Sequence, residues 1–128
     1  MNISPVVSFP VSADLSGKEY ELVKLTSTGL AISTGPADRA IGTLLRGNDA
    51  PQVGQSAVGM AADIQLTGGN GIHFVKVGND TAIARGDELE QDTTPGRVVK
   101  RVAATVIGIA AQSCPASNDG AIIEALLF

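Results

Sequence analysis

From Asp14 onward, short apolar runs alternate with clusters of Gly, Asn, Asp and Pro. Runs this short, bounded by turn chemistry, read as β-strands. Strands are predicted near 19–25, 30–33, 40–45, 56–66, 71–77, 88–91, 97–101, 105–112 and 120–127. Between them stand Thr28-Gly29, Gly47-Asn48-Asp49, Gly68-Gly69-Asn70-Gly71, Gly78-Asn79-Asp80, Thr94-Pro95-Gly96 and Asn118-Asp119-Gly120. Gly, Asn and Asp accept the positive φ that tight turns demand. Ile64 and Leu66 alternate cleanly with polar neighbours, whereas the alternation around Ile72, Phe74 and Val77 is partial. Ser16-Gly17-Lys18-Glu19 matches a helix capping box, but Gly17 and the sequel favour a strand there. The segment 36–46, opened by Pro36, leaves room for one short helix.

The strand pattern is stated twice. Gly17-Lys18-Glu19-Tyr20-Glu21, Gly29-Leu30-Ala31-Ile32 and Ala40-Ile41-Gly42-Thr43-Leu44 make one pass. Gly86-Asp87-Glu88-Leu89-Glu90, Gly96-Arg97-Val98-Val99 and Val106-Ile107-Gly108-Ile109-Ala110 make the second, at offsets of 69, 67 and 66. Two copies of one short-strand unit predict an all-β, pseudo-two-fold barrel or sandwich in which each half completes the other's core.

Residues 1–13 differ from the rest, with no charge, two prolines and several β-branched residues. Pro5 and Pro10 exclude a helix interior and favour an extended course. The chain therefore divides into an extended arm, 1–13, and a β-domain, 14–128. An apolar arm needs a surface to receive it, so it is either a partner-binding segment or the first edge strand of its own domain.

At 128 residues one domain is expected, and its 44% hydrophobic content supplies a core mostly of Ala, Val, Ile and Leu. Trp is absent, and one Tyr and three Phe leave few platforms for stacking sugars or bases. A net charge of −4 without a Lys/Arg cluster beyond Lys100-Arg101 argues against nucleic acid as a partner. No stretch reaches membrane-spanning length, no secretory leader is visible, and the lone Cys114 fits a reducing compartment.

Reactive chemistry is sparse. The single histidine, His73, lies in a strand-like segment beside Phe74 and reads as a packed or surface residue rather than a catalytic base. Cys114 has no second cysteine or basic neighbour to activate it. The run Asp87-Glu88-Leu89-Glu90-Gln91-Asp92 fails the spacing of a calcium loop; its carboxylates read as a solvated strand face. Gly68-Gly69-Asn70-Gly71 is followed by an extended segment rather than a helix, so it reads as a hairpin turn and not a phosphate loop. The second pass also looks like a biotinyl or lipoyl carrier, but its tip, Gln91-Asp92-Thr93-Thr94-Pro95, has no lysine to acylate. No catalytic residue, cofactor or metal ligand is assigned.

The ordered succession Gly54-Gln55-Ser56-Ala57-Val58, Ile64-Gln65-Leu66, Ile72-His73-Phe74-Val75-Lys76-Val77 and Ala82-Ile83-Ala84-Arg85-Gly86-Asp87-Glu88-Leu89 carries a resemblance. So does the ending, from Gly96-Arg97-Val98-Val99-Lys100 through Val106–Ala110 to Gly120–Leu127. Over roughly residues 14–128 the chain resembles the capsid cement, or head decoration, proteins of tailed bacteriophages. The resemblance implies a non-enzymatic β-barrel or β-tulip-like domain on the outer capsid surface of the virion. It also implies homotrimers at three-fold and quasi-three-fold positions that bridge major capsid protein subunits. The arm would then grip the shell through Asn2, Ile3, Ser4, Pro5, Val6, Val7, Ser8, Phe9, Pro10 and Val11, and deletion of 1–12 would leave the domain folded. The alternative from another class is a small ligand- or glycan-binding virion module, in adhesion or as a tail accessory.

Overall fold

A computed structural model describes residues 6–68, 71–78, 82–116 and 119–128. Ten strands form: β1 (Val6–Pro10), β2 (Leu22–Thr26), β3 (Gly29–Ile32), β4 (Gly42–Arg46), β5 (Ala61–Leu66), β6 (Ile72–Lys76), β7 (Glu88–Gln91), β8 (Val98–Lys100), β9 (Gly108–Ala110) and β10 (Ile122–Leu127). The fold is all-β. No helix occurs among the described residues, and 36–46 holds a turn at Pro36-Ala37 followed by β4.

Two antiparallel five-stranded sheets carry the same topology. The first runs β1-β5-β4-β2-β3 and the second β6-β10-β9-β7-β8, so adding five to each strand of the first reproduces the second. Each sheet curls until its first strand reaches its far edge. Val11 forms a parallel bridge to Leu30, and Val77 forms the same bridge to Val98. The amides just beyond, of Ser12 and Gly78, donate to the Leu30 and Val98 carbonyls at 2.8 Å in both cases. Each half is thus a small closed barrel, an arrangement that leaves little open sheet edge.

Registers give the true alignment of the copies. Val23 and Leu89 each face the glycine that opens the neighbouring strand, Gly42 and Gly108. Leu30 matches Val98 by their bridges, and Leu66 matches Leu127 by its pairing to the same glycines. The offsets are therefore 66 for β2, 68 for β3 and 66 for β4, correcting the sequence match of Gly17 with Gly86 by three residues and of Gly29 with Gly96 by one. The residue equivalent to Gly86 is Tyr20: both amides donate across to the next strand, to Ala110 and Leu44, and both have positive φ, +92° and +68°. A glycine match misleads where one copy places a tyrosine in the glycine conformation.

A second correction concerns Gly68-Gly69-Asn70-Gly71. β5 and β6 belong to different sheets and do not pair, so they do not make a hairpin; Gly69 and Asn70 lie outside the described residues. β5 lies between β1 and β4, and both of its edges are occupied before β6 begins. Hairpins in the strict sense occur at β2–β3 and β7–β8.

Each barrel also has its own core, which corrects the expectation that the halves complete one another. Val11, Leu15, Val23, Leu30, Leu44 and Ile64 fill the first. Val75, Leu89, Val98, Ala110, Ile123 and Leu127, among others, fill the second, joined by Leu22 from the first half. Adjacent residues on a strand point to opposite faces, so Val23 enters its own barrel while Leu22 enters the other.

Gly42 and Gly108 fix how closely the strands of each barrel approach. A Cβ on Gly42 would lie 2.3 Å from the Gln65 carbonyl oxygen, and one on Gly108 2.4 Å from that of Leu126. Backbone of a paired strand cannot yield that much. We expect Gly42→Ala and Gly108→Ala each to lower stability by about 2 kcal/mol or more in urea unfolding. Gly54→Ala, whose Cβ meets nothing within 4 Å, should cost less despite its φ of +80°. Equal effects at all three positions would refute the close-approach argument.

Candidate functional site

The predicted arm is part of the first barrel from Val6 on. Val6 pairs with Gln65 and Pro10 with Ala61, placing β1 antiparallel to β5. Val7 and Phe9 lie half-buried against the first core, and Val11 is wholly buried. Val6, Ser8 and Pro10 point outward, and the Ser8 hydroxyl donates to the Asp63 carboxylate. The boundary after residue 13 is therefore moved: removing 1–12 would delete a strand and a core valine rather than a free arm. Period-2 alternation of Val7, Phe9 and Val11 was the signal for this placement. Asn2, Ile3, Ser4 and Pro5 lie outside the described residues.

Polar side chains collect where the barrels meet. Glu21, Ser33, Thr43, Gln65, His73 and Gln91 are all buried, and each bonds across the seam. Lys76 Nζ lies 3.1 Å from Glu21 Oε2, and the Lys76 amide donates to the Tyr20 carbonyl at 2.9 Å. Gln65 Nε2 donates to the Ile72 carbonyl at 3.1 Å. The Ser33 hydroxyl donates to Gln91 Oε1, and Gln91 Nε2 donates to the Asp38 carbonyl at 2.8 Å. The Tyr20 ring meets the Phe74 ring edge-on, with centroids 6.0 Å apart. Asp38 itself accepts from the Thr34 hydroxyl, from Lys24 Nζ at 2.9 Å and from the Thr34 amide at 2.7 Å, and these bonds hold its carboxyl far below the usual range.

His73 sits within this seam. Nδ1 is 2.9 Å from the Thr43 hydroxyl, while Nε2 has no partner among the described residues. Burial pushes its pKa below the ordinary 6.5. A neutral, enclosed ring bonded to a threonine has no access to a substrate. Cys114 is also buried and forms an antiparallel bridge with Ile83.

Carboxylates of the acidic run bond to nearby backbone amides. Asp87 accepts the Ala84 amide at 2.8 Å, and Glu90 accepts the Ala104 amide at 2.6 Å. Glu88 points to solvent, as the alternation with buried Leu89 requires. No group of three His, Cys, Asp or Glu side chains converges among the described residues.

Surface depressions occur in the neighbourhood of β4 and at the seam among the described residues. One, of about 510 Å³, lies under the β4–β5 loop between Arg46, Asp49, Gln55 and Asp63. The other, of about 320 Å³, opens at the seam over Leu22, Ala40, Ile107 and Leu127, with Arg39 and Gln91 at its sides. The larger apolar feature is a sheet face. Ile72, Phe74, Ile122 and Leu126 project outward from β6 and β10, each roughly two-fifths exposed at 43%, 44%, 42% and 39%. Sequence reasoning did not single them out, although the signal was present: β10 reads Ile122-Ile123-Glu124-Ala125-Leu126-Leu127, apolar on both faces, as in a strand covered on both sides.

No protein-family model matches the chain, and no curated protein matches it.

His73 gives the seam a pH dependence whose sign follows from burial. Below pH 6.5 the unfolded chain takes up a proton that the folded protein resists, so stability falls as pH falls, by at most about 1.4 kcal/mol per unit. Between pH 7.5 and 5.5 the wild type should lose more stability than His73→Gln in urea unfolding. Identical pH profiles for the two proteins would exclude this origin.

Proposed function

We propose that the protein is a non-enzymatic capsid cement protein that binds the outer surface of an expanded phage head and bridges major capsid subunits. The observation that carries the reading is the ordered succession of segments from Gly54 to Leu127 described above, borne on a compact double barrel. The outward side of β1 supports it: Val6, Ser8 and Pro10 supply an exposed, charge-free strip at a sheet margin. Because β1 is already paired to β5, the strip is held in place before it meets a partner, which limits the entropy lost on binding. Several modest contacts per assembly are enough, because attachment at more than one point gains affinity through effective concentration. In this reading the protein works as a homotrimer on the virion exterior, with no cofactor, nucleic acid or membrane involved.

A ligand-binding virion module is the second reading, and the apolar depression at the seam favours it. Phe128 is the sole aromatic residue at its margin, which counts against sugar stacking.

Co-sedimentation with expanded and unexpanded shells of the cognate phage, both lacking the protein, separates the readings. Saturable binding to expanded shells alone is expected. Val6→Asp, at an outward position, should weaken that binding at least tenfold while leaving the melting temperature within a few degrees, because no core contact changes. Absence of binding to either shell would end the cement reading and leave the ligand module.

A further inference from the structure

The seam between the barrels joins two unlike surfaces. The first barrel contributes the outer face of its sheet, through Leu22, Thr43 and Gln65. The second contributes an end of its core, through His73 and Gln91. A contact of this kind is heterologous, so each half keeps an unused counterpart of the surface that the other employs. In the second barrel, Glu88, Ile109 and Leu126 stand at the places of Leu22, Thr43 and Gln65. In the first, Val7 and Leu25 stand at the places of His73 and Gln91.

The unused face is more apolar than the covered one. At the two covered polar positions, Ile109 replaces Thr43 and Leu126 replaces Gln65, with Glu88 and Glu124 at the margins of the face. Leu126 pairs with Ile72 on one side and with Ile109 on the other, so these side chains form one continuous stripe. On the opposite surface Leu25 is 50% exposed and Val7 only half-buried. The first core therefore lies open at the end where the second is sealed by its neighbour. Exposed apolar area of this extent on one sheet face marks a contact surface.

We propose that the outer face of the second barrel docks on the open core end of the first barrel in a second copy of this chain, carrying the intrachain seam from molecule to molecule. Continuity fixes the occupant, since the equivalent face within the chain is already covered by a barrel of this same topology. Two residues keep the new contact from duplicating the old. Pro10 stands at the place of Lys76 and has no amide to donate, and Glu88 stands at the place of Leu22. The contact is made by side chains, centred on Ile72, Ile109 and Leu126 against Val7 and Leu25. It rests on the internal repeat and not on shell binding, so a failure of the cement reading leaves it standing.

Sedimentation velocity of the full chain over a wide concentration range tests it, with circular dichroism confirming that each variant is folded. The wild type should self-associate. Ile72→Glu/Leu126→Glu, which removes one surface, and Leu25→Glu, which removes the other, should each be monomeric. Mixed, the two variants should form a dimer and nothing larger, because one intact face meets one intact core end. Leu25→Lys serves as a second donor variant should the glutamate disturb folding. A wild type that stays monomeric throughout, a Leu25 variant that assembles like wild type, or a mixture that stays monomeric would each overturn the proposal.

Discussion

Burial of polar side chains between the barrels is the constraint on which the rest of the molecule depends. Glu21, Ser33, Thr43, Gln65, His73 and Gln91 lose water at the seam, and an unpaired buried polar group costs about 1–3 kcal/mol. Their partners lie in the opposite half, so the cost is met in one relative placement of the barrels and in no neighbouring one. Leu22 supplies the apolar part of the contact, but an apolar contact alone is non-directional and would allow sliding. The Lys76–Glu21 pair acts in the same sense. Against a well-packed apolar pair it adds little net stability, yet loss of either partner strands a charge. A rigid seam is what makes two small barrels, each with a core of its own, behave as one body.

Strand existence was legible in the sequence, while strand partnership was not. The nine predicted segments from 19 to 127 all contain an observed strand, because turn residues and short apolar runs are local signals. Their ends moved where a residue had a special backbone state. β2 begins at Leu22, because Tyr20 occupies a left-handed conformation two residues earlier. β5 begins at Ala61, after a loop with positive φ at Gly54 and Gly59. The first strand was left between two readings because an apolar, charge-free segment needs a covering surface without saying whose; Pro10, its last residue, ends the strand, where the missing amide is harmless. Gly68–Gly71 shows the limit of turn chemistry, since a glycine cluster marks a change of direction without saying which strands it joins. The seam was illegible for a related reason. Thr43, Gln65 and His73 look like ordinary alternating polar positions, and their burial depends on a barrel formed by residues far along the chain.

Divergence between the copies is more informative than their likeness. Where both halves do the same structural work, equivalent positions keep their function: Gly42 and Gly108 both let a neighbouring carbonyl approach, and the amides of Gly59 and Gly120 both donate to the residue that follows the first strand of their barrel. Where the work differs, the chemistry separates. The covered face of the first barrel is polar because its bonds to the second are specific, and the matching face of the second is apolar and open to solvent. Solubility alone would favour the reverse assignment, since an exposed stripe of Ile, Phe and Leu risks uncontrolled association. Pro10 and Glu88 answer that risk. A proline where the repeat offers an amide, and a carboxylate where it offers a leucine, remove the two features of the seam that would propagate most readily into a fibre. The stripe is thereby left available to a contact made by side chains alone, distinct in its bonding from the seam within the chain.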